Sequence, residues 1–165
     1  ATAGIAKQLA LKVDDADPMD CFIAGLLHDF GKVVFAQFMP IEFRAALQIS
    51  EEGKSSLHAA LQTTIGADHA VVGAMLVEKW RFAPRLIETI RYQHPSNFKD
   101  TETIACVFGG NQISKKLKFG FGGNTSVDEF PASVQKRLGG TLDEVIASMG
   151  DLNPLFEEAK LFAKL

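Results

Sequence analysis

The chain has 165 residues, 47% of them hydrophobic and 22% charged, with a net charge of −3. That is one domain's length with enough apolar mass for a substantial core, which excludes a disordered or low-complexity polymer. The slightly acidic balance argues against a nucleic-acid surface, which ordinarily carries a basic excess. No apolar run is expected to reach the roughly 20 residues that span a bilayer, so no membrane partner is expected. Cys21 and Cys106 both lie in apolar strings and read as core filler, which suits a reducing cytoplasm better than a disulfide framework. The opening "ATAGIAKQLALKV" lacks a secretory pattern and an initiator methionine, as an excised piece of a longer protein would.

In chain order, Ala6, Leu9, Ala10 and Val13 make one helical stripe. Asp17 then restarts the chain as an N-cap before Pro18. The next helix, through "CFIAGLLHDF", is apolar nearly all round and is expected to be the central buried one, with a break at Gly31. Helices are predicted from Pro40 to a stop at Gly53 and from Ser55 to a stop at Gly66. A helical hairpin follows, "ADHAVVGAMLVEKWRF" and "APRLIETIRYQH", its second arm ending before Pro95. "TETIACVFGGNQISKKLKF" is the next helix, and the glycine-rich "FGFGGN" at 119–124 reads as a turn. "SVDEFPASVQKRLGG" and "TLDEVIASMG" each open on a capping box, Ser126 with Glu129 and Thr141 with Glu144. Asn153 caps the last helix. No alternating strand pattern appears, so the fold class is all-α.

Polar residues that share a stripe with apolar ones mark the candidate site. Asp29 falls on a stripe with Phe22, Leu26, Phe30 and Val33, and is expected to face the core with His28 beside it. His69 shares spacing with Val72, Gly73 and Leu76, and Gly73 there lets a neighbouring helix approach closely. His94 repeats the spacing after Ile87, Ile90 and Arg91, in the expected last turn of its helix, where the helix dipole favours an imidazolium. Asn111 does so after Ile104, Val107 and Phe108. His58 lies to the side of a face made by Leu57, Ala60, Leu61 and Thr64, and reads as a surface residue. His, Asp and amide groups converging from four helices are the material of a helical-bundle ligand cluster.

"AGLLHDFGK" at 24–32, followed by "GADHAVVGAMLVEKWRFAPRLIETIRYQH" at 66–94, resembles the HDOD domain, the HD-related output domain of bacterial signalling proteins. The resemblance is to the C-terminal half of that domain, is expected to cover most of the chain, and implies one HD-superfamily-like helical bundle over 1–165. It also implies a metal pattern of one upstream histidine, a His-Asp pair, further histidines and a late aspartate. These map to His28 and Asp29, His69 and His94, and Asn111. No histidine precedes His28, an amide stands in place of the late carboxylate, and His94 is followed by "PSNFK" rather than a "GYP" string.

A two-metal hydrolase needs carboxylates to offset two cations about 3.5–4 Å apart and to help acidify a bound water. The resemblance with those losses implies a non-catalytic signal-transduction module with a degenerate HD metal site and no resident cofactor, acting through protein partners. The alternative is a phosphohydrolase of nucleotides or cyclic dinucleotides using Mn, Fe or Mg, with Asp29 as its catalytic residue. A third reading is a nucleotide held in the same cavity without turnover.

Overall fold

In the computed structural model, which describes residues 1–53, 55–95, 97–120, 122–123 and 126–162, every regular element is an α-helix. They are α1 (Thr2–Ala10), α2 (Pro18–Leu27), α3 (Phe30–Phe38), α4 (Pro40–Glu51), α5 (Leu57–Thr64), α6 (His69–Lys79), α7 (Pro84–Arg91), α8 (Glu102–Lys116), α9 (Ala132–Leu138), α10 (Leu142–Met149) and α11 (Asn153–Phe162). Of the glycine-rich string, Phe121 and Asn124 lie outside the described residues.

Local chemistry explains most of the boundaries. Asp17 Oδ1 accepts from the backbone N–H groups of Met19 and Asp20, starting α2 behind Pro18. Gly53 and Gly66, at φ +69° and +80°, end the chain's turns after α4 and α5. The Thr141–Glu144 capping box is present in both directions, whereas no helix starts at Ser126. Pro131 decides that second case. It lacks a donor and pushes Phe130 away from helical angles, so α9 begins only at Ala132.

The chain divides into two compact units. The first comprises Ala1–Gly25, Lys99–Gly120 and Val127–Leu165; the second comprises Leu26–Phe98 with residues 121–126. In the first, α8 rather than α2 is the central helix: residues from Thr103 to Ser114, Asn111 aside, are buried. α1 packs on it so closely that a Cβ on Gly110 would stand 3.0 Å from the Ala6 nitrogen. In the second, α3, α4, α5 and α6 pack around Phe35, Ala46, Leu57, Ala60 and Leu61, and α7 packs on α6.

The stripe expected to carry Asp29 inward is not the core face, since Leu26 and Val33 are 63% and 56% exposed. The buried positions are Cys21, Ala24, Gly25, His28, Gly31 and Phe35, four of the six being small residues. Where another helix backbone approaches closely, at Gly25 and Gly31, packing leaves no room for a side chain. By length and composition the 21-residue helical run Pro18–Phe38, of mean hydropathy 1.3, also passes for a membrane span, contrary to expectation. A third of its most apolar 18-residue stretch is buried, and it carries the Asp29–Lys32 ion pair.

Candidate functional site

The site lies wholly within the second unit and begins where the α2–α3 run breaks. α2 ends at Leu27 and α3 starts at Phe30, so His28 and Asp29 form the joint. Gln93, 3% exposed, donates from Nε2 to the His28 carbonyl at 2.7 Å and satisfies the backbone there. Asp29 is the N-cap of α3, yet its side chain makes no capping bond. Its carboxylate is turned to the site instead.

Two glycines bring the histidine of α6 to that carboxylate. A Cβ on Gly31 would collide with the His69 carbonyl oxygen, and one on Gly73 would stand 3.3 Å from the Gly31 nitrogen. The backbones of α3 and α6 therefore touch, as expected for Gly73. Gly31 is a contact residue inside α3, not the expected helix break. Asp68 starts α6 by accepting from Ala70 and Val71 N–H, which fixes His69 in its first turn.

The resulting cluster gathers all four histidines of the chain. Asp29 Oδ2 lies 2.7 Å from Lys32 Nζ and 3.4 Å from His28 Nε2; its Oδ1 lies 3.3 Å from His69 Nε2. His69 Nε2 lies 3.1 Å from His94 Nε2. The His58 ring packs on that of His94 with centroids 4.4 Å apart, and its Nδ1 is 3.8 Å from Asp68 Oδ1. His58 thus belongs to the cluster, against the sequence reading. It flanks the buried face of α5 in the helix's first turn, where a ring reaches sideways. His94 is also displaced from its expected place, because α7 ends at Arg91. Pro95 follows it and disfavours helical angles at residue 94. Asn111 is half-buried on α8 and belongs to the first unit, whereas the four other mapped residues belong to the second.

Burial alone would raise the Asp29 carboxyl, but the charge of His28, the hydrogen bond from His69 and the Lys32 ammonium outweigh it. The carboxyl is held well below its ordinary range. Burial pushes the His69 imidazole down. It drives His94 to about 2, assisted by repulsion from His69 and His58, so His94 is neutral rather than an imidazolium. His69 Nδ1 has no hydrogen-bond partner among the described residues. A bare lone pair there costs less than a bare N–H, which places the proton on Nε2, donated to Asp29.

That proton bears on the metal pattern the resemblance implies. A ligating histidine ordinarily donates its second N–H to an acceptor, and His69 Nδ1 has none. Asp29 is the carboxylate at the centre and already carries an ammonium at 2.7 Å, while Asp68 is committed to capping α6. Among the described residues no three His, Cys, Asp or Glu groups are arranged to hold a metal ion. The residues do not fit a binuclear centre. Lys32 and Gln93 were missed by the sequence reading; an acid–base pair at i, i+3 was the available signal for Lys32.

Comparison with known proteins bears on the family and the fold. The HDOD domain family matches residues 1–96. An uncharacterized protein of Treponema pallidum (strain Nichols) is 29% identical over 126 residues, 73% of this chain but 23% of that protein. An HDOD domain protein of unknown function from Geobacter sulfurreducens superposes with a TM-score of 0.76 at 26% identity, covering 96% of this chain and 58% of the other. A putative phosphohydrolase from Shewanella amazonensis SB2B does so at 0.67 and 20% identity, covering 92% and 56%, which speaks to the fold alone. The chain therefore spans about a quarter of the length of that Treponema relative and under two thirds of each solved chain. The family match stops at residue 96, so the expectation of a C-terminal half covering most of the chain is corrected: the motif strings end at His94, and helical periodicity beyond it carries nothing family-specific. With more than half of its length matched, and with the His28–Asp29 cluster inside the matched stretch, the chain belongs to the HDOD domain family.

Proposed function

We propose that this HDOD domain is a non-catalytic regulatory module of a cytoplasmic bacterial signalling protein. In it the His28–Asp29 joint serves as an internal polar strut, and protein partners read the state of the domain. One observation carries the reading: the Asp29 carboxylate is already neutralised by Lys32 and engaged by His28 and His69. A carboxylate so engaged has little charge left for a pair of cations. The test is metal content after expression in manganese- and iron-supplemented medium. We expect under about 0.1 metal ion per chain, since a stable complex requires a preformed set of deprotonated ligands. A stoichiometric two-metal complement overturns the reading.

A second reading is a metal-dependent phosphohydrolase of nucleotides or cyclic dinucleotides. It is favoured by the convergence of donor groups at the site, His69 Nε2 lying 3.1 Å from His94 Nε2 and 3.3 Å from Asp29 Oδ1. The name of the Shewanella amazonensis structure points the same way. It requires Lys32 to leave Asp29. Turnover of any such substrate with Mn²⁺ or Fe²⁺ that is abolished in Asp29→Ala supports this reading; turnover equal in both proteins removes it.

A further inference from the structure

The glycine-rich string, read from sequence as a turn, has a specific place. Gly122 and Gly123 belong to the second unit, although the chain on both sides of residues 121–126 belongs to the first. The Gly122 carbonyl accepts from Lys32 Nζ at 2.6 Å, shorter than the bond from Lys32 to Asp29. Gly122 also lies directly on the ion pair: a Cβ there would stand 3.4 Å from Asp29 Oδ2 and 3.7 Å from Lys32 Nζ. Gly123 anchors the crossing. Its φ is +80°, its carbonyl accepts from Ser50 Oγ at 3.5 Å, and a Cβ on it would meet Leu47 and Leu57 at 2.9 Å.

We propose that Gly122 and Gly123 form a built-in strap over the Asp29–Lys32 pair, which must lift before any solute reaches the Lys32 ammonium. The ammonium has three donors and no acceptor. The strap takes one with a backbone oxygen and Asp29 takes another, and the side chain of Lys32 is 16% exposed. Gly123 is the position that favours glycine. A Cβ at 122 would only touch the ion pair, whereas a side chain at 123 would be strained by its left-handed backbone and would need Leu47 and Leu57 to shift. Residues 122 and 123 follow α8 and precede α9 in the chain. As a switch the strap rests on the regulatory reading above.

Reductive methylation with formaldehyde and dimethylamine–borane, followed by peptide mass spectrometry, reads the strap directly. In the wild-type chain Lys32 is expected to react at least about tenfold more slowly than exposed Lys79, because reaction waits on local opening. Gly123→Val puts a β-branched residue at positive φ and should raise the Lys32 rate about fivefold or more, with Lys79 unchanged. Ser50→Ala removes one anchor and leaves the glycines in place, so a smaller rise of about twofold is expected. This variant decides the matter if Gly123→Val does not fold. Equal Lys32 rates in wild type and the folded variants, or a wild-type Lys32 as reactive as Lys79, overturn the strap. Neither outcome depends on metal content, so the strap and the regulatory reading fail separately.

Discussion

Asp29 breaks a local rule. An aspartate at an N-cap ordinarily bonds the first free N–H groups of its helix, as Asp68 does for α6, whereas Asp29 leaves them for Lys32 and His69. Such a departure is the mark of a site rather than of a scaffold. Asp29→Ala should destabilise the chain by about 1–3 kcal/mol, the cost of leaving the buried His69 donor unsatisfied. Urea denaturation checks this, and a loss below about 0.5 kcal/mol shows that the carboxylate contributes no more than a surface group. The histidines set the pH response. His69 and His94 have folded-state values below the ordinary one near 6.5, so below that pH the unfolded chain binds more protons than the folded chain. Their contribution is complete above about pH 6.5 and is lost as pH falls, by up to about 1.4 kcal/mol per pH unit for each histidine. Asp29, also lowered, adds a further loss below about pH 4. Stability measured from pH 7.5 to 5 should slope downward; a flat profile shows that both imidazoles protonate inside the fold.

At the level of helices, the site exists because α3 and α6 touch through Gly31 and Gly73. Gly31→Ala would ordinarily favour a helix interior by up to about 1 kcal/mol. Here the added methyl meets the His69 backbone, which cannot swing aside, so a net loss of about 2–3 kcal/mol is expected from thermal or chemical unfolding. A gain in stability would show that the two helices separate freely. Gln93 does a related task at the α2–α3 joint. Gln93→Leu keeps the volume but leaves the buried His28 carbonyl without its 2.7 Å donor, and should cost about 1–3 kcal/mol. The two faces of the α2–α3 run were reversed in the sequence reading for one reason. Periodicity finds the stripe with the largest apolar residues, while backbone approach this close admits only glycine, at Gly25 and Gly31.

Across the whole chain, the family-matched stretch and the folding units do not coincide. The match ends at residue 96, yet Ile5 and Leu9 of α1 are fully buried in a unit whose central helix is α8. A fragment of residues 1–96 lacks the surface on which α1 packs. It should show dye-accessible apolar surface and a broadened unfolding transition by calorimetry, where the complete chain shows a sharp one. A sharp transition in the fragment would mean that α1 finds another partner.

The all-α class, the capping box at Thr141, the cap at Asp17 and the close approach at Gly73 were all legible in the residues, because each depends on neighbours within one or two turns of helix. So was the association of His28, Asp29, His69 and His94, through their spacing and family resemblance. The membership of His58, the exit of His94 from α7, the pairing of Lys32 with both Asp29 and Gly122, and the placing of Asn111 in the other unit were not. These depend on which helix faces cross and where a loop returns after ninety residues, and pairings at that separation leave no periodic trace in the chain.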